Sequence, residues 1–155
     1  MALRERFNDQ LKEAMKARDT RRVSTLRMVL AALKDKDIAN RTETSREGIG
    51  DDEVLTLLAK MIKQREESAT AFEIGGRPEM AGAERAEIEI IRTFMPRQMS
   101  PEESRAAAAG VIAELGAGSI KDMGKVMAAL KERYAGQMDF ARAGATVKEL
   151  LSAPK

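Results

Sequence analysis

Lys121 and Lys125 lie four residues apart in a stretch rich in helix formers, with Lys131 and Arg133 a little further along. On a helix, residues four apart stack one turn above the other, so the first two would present adjacent cations. The chemistry open to such a face is neutralisation of phosphates along a nucleic-acid backbone. A plainer use is also open: Lys131 and Arg133 complement the negative end of a helix dipole, and lysines keep a polar face solvated. A second group is Arg65 and Glu87, each inside an otherwise apolar helical stripe, with Arg27 bordering another stripe and Glu84 just before Glu87. A charge directed into a core forfeits solvation on the order of several kcal/mol unless it is paired. A buried cluster of Arg27, Arg65, Glu84 and Glu87 is therefore expected, with Arg65 paired to Glu87. It would fix helix register or offer a carboxylate to a ligand. A further basic cluster, Lys12, Lys16, Arg18, Arg21 and Arg22, falls at a helix–helix corner, diluted by Asp19.

What is missing narrows the chemistry. The chain has 155 residues with no cysteine and no histidine, so thiolate nucleophiles, thiolate metal sites and the side chain titrating nearest neutrality are excluded. Glycine-rich phosphate cradles, paired-histidine metal motifs and the nucleophile elbow are absent as well. No catalytic residue, metal site or cofactor is expected. Aromatic residues make up only 3%, which argues against recognition of single strands by base stacking. No apolar run approaches membrane-spanning length, and no signal-peptide core follows Arg4, Glu5 and Arg6. A cytoplasmic protein without membrane contact is expected. The net charge of +2 conceals blocks of opposite sign: basic from Lys12 to Arg41, acidic from Thr42 to Met95, mildly basic from Pro96 onward. Such blocks could face each other within one bundle or present a basic face to a partner.

The elements that must position these groups are all helical. Leu3, Phe7, Leu11 and Met15, with Ala14, predict a first helix from Leu3 to Ala17. Asp19 or Thr20 caps a second, with Val23, Leu26, Leu30 and Leu33 inward. A polar loop with Thr42, Thr44, Ser45, Gly48 and Gly50 follows. Asp51 or Asp52 opens a third helix with Leu55, Leu58, Ile62, Ala69 and Phe72 inward, stopped by Gly75-Gly76. Pro78 starts a fourth, presenting Met80, Ala83, Ile90, Ile91 and Phe94. Pro96 then breaks the chain, and Ser100-Pro101-Glu102-Glu103 restarts it as a capping box with proline at the first helical position. Pro96, Ser100 and Pro101 mark a hinge over 96–99 between a four-helix antiparallel bundle, 1–95, and a three-helix module, 100–155. In that module the fifth helix turns Ala107, Val111, Ile112 and Leu115 inward. A capping box at Ser119-Ile120-Lys121-Asp122 opens the sixth, with Ile120, Met123, Met127, Leu130 and Tyr134. Asp139 caps a seventh, burying Phe140, Ala143, Val147, Leu150 and Leu151.

Leu26-Arg27-Met28 through Ala32-Leu33-Lys34, Lys63-Gln64-Arg65-Glu66-Glu67-Ser68, and Gly76-Arg77-Pro78 leading to Glu84 and Glu87 occur in order. They are followed by Phe94-Met95-Pro96-Arg97-Gln98-Met99 and by Ser119-Ile120-Lys121-Asp122-Met123-Gly124-Lys125-Val126-Met127. In that combination the chain resembles the GatB/YqeY family, specifically the free-standing YqeY-like proteins, over nearly its whole length. It departs from the family pattern at Met95, where leucine is usual, and at Gln137, where a basic residue is common. The resemblance implies a two-domain all-helical protein whose C-terminal part is akin to the helical tail of the GatB subunit of tRNA-dependent amidotransferases. Those enzymes move ammonia from glutamine onto aspartate or glutamate esterified to tRNA, a carbon–nitrogen ligation. In them the tail helps grip tRNA while chemistry occurs elsewhere, and similar modules extend some glutaminyl-tRNA synthetases. Nothing here matches the catalytic cradle of GatB or the serine–lysine amidase subunit. Charge placement and the resemblance together lead to a non-catalytic tRNA-binding or accessory module, with Lys121, Lys125, Lys131 and Arg133 as the RNA-binding residues. Its partners would be tRNA and an aminoacyl-tRNA synthetase or an amidotransferase. The alternatives are a component with amidotransferase activity and a protein-interaction adaptor.

Overall fold

Helix α1 (Leu3–Ala17) forms where Leu3, Phe7 and Ala14 share one side, and it ends at Arg18, whose backbone is left-handed at φ 56°. A computed structural model describes residues 2–42 and 48–152, and among these the chain is all-α with no strand. The other described left-handed residues are glycines: Gly76, Gly116 and Gly136. Placing a side chain in that region costs about 1–2 kcal/mol. Asp19 caps α2 (Thr20–Ala39) by accepting from Arg22 N at 3.1 Å. Three acidic residues at the start of α3 (Asp51–Ile74) complement its positive end, and Pro78 takes the first position of α4 (Pro78–Arg92). Of the polar loop expected before α3, Thr44 and Ser45 fall at 43–47, outside the described residues.

The chain divides into two units, residues 1–95 and 96–155. The first has a core of Phe7, Leu26, Val29, Leu33, Val54, Leu58, Ile91 and Phe94. Phe7 and Phe94 meet edge to face with centroids 4.8 Å apart, and the Arg6 guanidinium lies 5.2 Å from the Phe94 ring centre. Such an aromatic pair is worth about 0.5–1.5 kcal/mol beyond its buried area.

Some stripes are rotated from those expected. Four-residue steps advance about 40° beyond a full turn, so a stripe begun at Leu3 has drifted by Met15. Met15 is 51% exposed, and Ala14 takes its place. On α2, Val29 rather than Leu30 is fully buried; on α4, Ala81 and Ile88 replace Met80 and Ala83.

An unexpected clasp joins the two ends of the first helical hairpin to the start of α3. Arg4 donates to both Asp37 carboxylate oxygens at 2.7 Å and to Ile49 O at 2.8 Å, while Ile49 N donates to Asp37 Oδ1 at 2.9 Å. Gly48 lies so close that an added Cβ would stand 2.5 Å from Arg4 Nη2 and 2.8 Å from Asp37 Oδ1.

In the second unit, α5 (Pro101–Leu115) carries the predicted capping box: Glu103 N donates to Ser100 Oγ and Ser100 N to Glu103 Oε1, both at 3.1 Å. Arg97 grips the Glu103 carboxylate from outside at 3.0 and 2.6 Å. These bonds, Arg97 foremost and then the Ser100 amide, hold Glu103 down at about 2. The stretch 96–99 is tied into this unit: Met99 N donates to Gln137 O at 2.8 Å, and Gln98 Nε2 to Gly136 O at 2.6 Å. The capping box expected at Ser119 does not form. A 3-10 turn (Ile120–Asp122) precedes α6 (Met123–Arg133), the Ser119 side chain makes no cap bond, and Asp122 instead accepts from Gly118 N at 3.0 Å. The tighter turn displaces Ile120 outward, where it is exposed. Asp139 caps α7 (Phe140–Ser152) through Ala141 N at 2.9 Å. Ala108, Val111, Val126, Leu130, Met138, Ala143 and Val147 form this core, and Leu115 stays outside it.

Candidate nucleic-acid interface

The structure separates the four C-terminal cations. Lys121 lies in the 3-10 turn and Lys125 one turn further, both exposed and without ion pairs among the described residues. At about 100° per residue, Lys131 is carried to the opposite flank of α6, and Glu132 comes round behind Lys125 instead. Arg133 is engaged: its guanidinium donates to both Glu114 oxygens at 2.6 and 2.9 Å, which raises the guanidinium and lowers the carboxyl. Its charge is thus largely answered within the unit. Lys121 and Lys125 remain as the free cationic pair, with exposed Ile120 adjoining Lys121 in the chain.

Arg65 lies between three helices, its side chain 12% exposed against 25% for Glu87. Its Nε donates to Glu87 Oε2 at 3.1 Å, Nη1 to Met61 O at 3.3 Å and Nη2 to Met28 Sδ at 2.8 Å. The expected buried cluster is smaller than four. Arg27 is exposed and makes no ion pair among the described residues, because one further residue on α2 rotates it away from the Leu26–Val29–Leu33 side. Glu84 is half-buried and does not join the pair. A guanidinium reaching α2, α3 and α4 through single bonds ties their register, and it engages one oxygen of the Glu87 carboxylate.

A shallow groove between α3 and α4, lined by Glu66, Thr70, Arg85, Ile88, Glu89 and Arg92, is filled with its own counter-charges. Arg92 pairs with Glu66 at 2.8 Å and Glu89 at 3.0 Å, and Arg85 with Glu73 at 2.5 Å. Among the described residues no group of three acidic, histidine or cysteine side chains could hold a metal ion, and no helix is long and apolar enough to cross a membrane.

The sequence profile described as "Yqey-like protein" matches residues 4–151. The chain belongs to the YqeY-like family. A protein of Eremothecium gossypii called "Altered inheritance of mitochondria protein 41, mitochondrial" is 31% identical over 111 residues, 70% of this chain and 58% of that protein. Proteins of the same name in Saccharomyces cerevisiae strain S288c (31%) and Clavispora lusitaniae (33%) align over 85 residues, 55% of this chain and 44% and 46% of theirs. The chain thus spans about half the length of the curated relatives it matches. The YqeY-like match runs through most of both units described above, and takes in both Arg65–Glu87 and Lys121–Lys125.

Proposed function

We propose that this YqeY-like chain is a non-catalytic accessory protein of the cytoplasm that grips tRNA by its phosphate backbone. It would work beside a glutamine-dependent tRNA amidotransferase or an aminoacyl-tRNA synthetase. The observation that carries this reading is the exposed, unpaired Lys121–Lys125 pair on the second unit. Arg133, held by Glu114, contributes less than its charge suggests. Histidine and cysteine are absent from the sequence, and the carboxylate that interrupts an apolar stripe, Glu87, is tied to Arg65; neither favours independent acid–base or nucleophilic chemistry. Because phosphate contacts release counterions, affinity for tRNA falls steeply with salt. A mobility-shift titration of the full chain with unfractionated tRNA tests the reading: absence of a complex even at low ionic strength refutes it.

A second reading, a protein-interaction adaptor, is favoured by the exposed apolar side chains of Leu115 and Ile120 on the same unit as the lysines. Recovery of a synthetase or amidotransferase in a pull-down after nuclease treatment, with no tRNA shift, would select it.

A further inference from the structure

Eight of the described arginines make ion pairs with carboxylates. The tip of the α1–α2 hairpin gathers several cations that do not. Lys12, Lys16, Arg18 and Arg21 are all exposed, and none makes an ion pair among the described residues. From Lys12 to Arg22 the chain carries five basic residues against two acidic, Glu13 and Asp19. The Asp19 carboxylate is committed to the N-terminus of α2, where Arg22 N donates to it. Arg22 itself donates from Nη2 to Gln10 Oε1 at 2.7 Å, and the four fully exposed cations stand against two exposed carboxylates, Glu13 and the capping Asp19. Where the described α3 and α5 helices close with a left-handed glycine, α1 closes with left-handed Arg18, so a guanidinium stands at the apex of the turn.

The chemistry of this tip selects its partner. An interfacial membrane helix needs a free apolar face, but Leu3, Phe7 and Ala14 of α1 are spent in the core, and Met15 is the one large apolar side chain exposed there among the described residues. An acidic protein surface would want an apolar centre to dock, and the tip offers none beyond Met15. Base stacking needs an exposed aromatic ring, whereas Phe7 and Phe94 are buried against each other and Phe72, Phe140 and Tyr134 are half-buried elsewhere. Closely spaced cations without stacking platforms fit the backbone of a structured RNA. From this juxtaposition we infer that the α1–α2 tip is a second phosphate-backbone contact for structured RNA, separate from Lys121 and Lys125. The inference rests on the reading of the protein as a tRNA binder and gives that function a contact on the first unit.

The test is a salt titration of the full chain against unfractionated tRNA. Three variants are compared with wild type: Lys12→Gln/Lys16→Gln/Arg21→Gln at the tip, Lys121→Gln/Lys125→Gln in the second unit, and Arg18→Gly. The last removes a cation while relieving the left-handed backbone, so it cannot fail merely by misfolding. Each lost phosphate contact lowers the log–log salt slope by about 0.7–0.9. The tip triple variant is expected to lose about 2.1–2.7 from the slope and Arg18→Gly about 0.7–0.9, with the remaining slope carried by Lys121 and Lys125. If tip variants bind as wild type does while the Lys121/Lys125 variant loses binding, the inference is overturned and the proposed function stands. If the tip variants lose binding and Lys121→Gln/Lys125→Gln does not, the tip contact stands and the role given to those two lysines falls. If wild type binds no tRNA, both fall. Vesicles of phosphatidylglycerol and phosphatidylcholine that bind through the tip, and that tRNA does not displace, would overturn the RNA assignment.

Discussion

Replacing Gly48 with alanine tests the clasp that closes the first unit. The new Cβ would lie 2.5 Å from Arg4 Nη2, so the guanidinium must withdraw, and Nη2 gives up its bonds to Asp37 Oδ1 and Ile49 O. Hydrogen bonds of this kind are each worth about 1 kcal/mol net. The side chains of Arg4 and Asp37 are 35% and 21% exposed, so solvent screening reduces the pair to about 1.5 kcal/mol. Alanine in place of glycine also restricts the unfolded chain, which recovers about 0.5 kcal/mol. The expected result is a net loss of about 1 kcal/mol, or roughly 5 °C in the melting of a unit this size. Amide exchange gives a local readout, because Ile49 N–H is protected by Asp37 and should exchange faster in the variant. In an Arg4→Met background the obstacle is gone and Gly48→Ala becomes neutral or stabilising. Arg4 holds the Asp37 carboxyl below its ordinary value, so the clasp contributes fully above the unfolded carboxylate pKa of about 3.9. It is lost as pH falls through the lower folded value, and the difference between variant and wild type should close there. A Gly48→Ala protein as stable as wild type at neutral pH would refute the reasoning.

Other perturbations follow from the same bonds. Arg65→Met leaves a half-shielded Glu87 without its partner and should cost about 1–3 kcal/mol in urea unfolding. The double variant Arg65→Met/Glu87→Leu should recover much of that loss, and strict additivity would show that the pair is not coupled. Thr25 is buried with a hydroxyl that finds no hydrogen-bond partner among the described residues. Thr25→Val is therefore expected to raise the melting temperature, by an amount equivalent to about 1 kcal/mol. Ser100→Ala removes one half of a capping box and should lower the stability of the second unit by about 1 kcal/mol, seen as earlier loss of α5 amide protection. Glu103 has its folded value lowered to about 2, so its contribution is present above the ordinary carboxyl value of 4.5 and disappears between that value and about 2. Acid melts of Arg97→Gln should lack this component.

Most helix starts were legible because each is written in adjacent residues, the box read at Ser119 being the exception. Asp19, Pro78, Ser100 with Glu103, and Asp139 announce themselves within a turn, and the structure uses every one. Burial was harder to read. A stripe inferred from four-residue steps drifts around the helix, which is why Met15, Met80 and Leu115 were expected inside and lie outside. Of the charged groups, Arg65 and Glu87 could be singled out because each interrupts an apolar stripe. Arg4 and Asp37 could not, since each sits on an ordinary polar side and their meeting depends on how two helices cross. The one local hint was Gly48, a small residue where the chain passes a guanidinium. The capture of Arg133 by Glu114 is hidden for the same reason, being a partnership between residues 19 apart in sequence.

The bonds from Met99 to Gln137 and from Gln98 to Gly136 bear on where the protein can be cut. A C-terminal fragment begun at Ser100 would discard a strap that its own α6–α7 connection is built to receive, exposing two carbonyls. One begun at Pro96 keeps that strap and the Arg97 grip on Glu103. The natural seam for dissecting this molecule is therefore the imide bond before Pro96, and a protease given time should leave those four residues attached to the smaller piece.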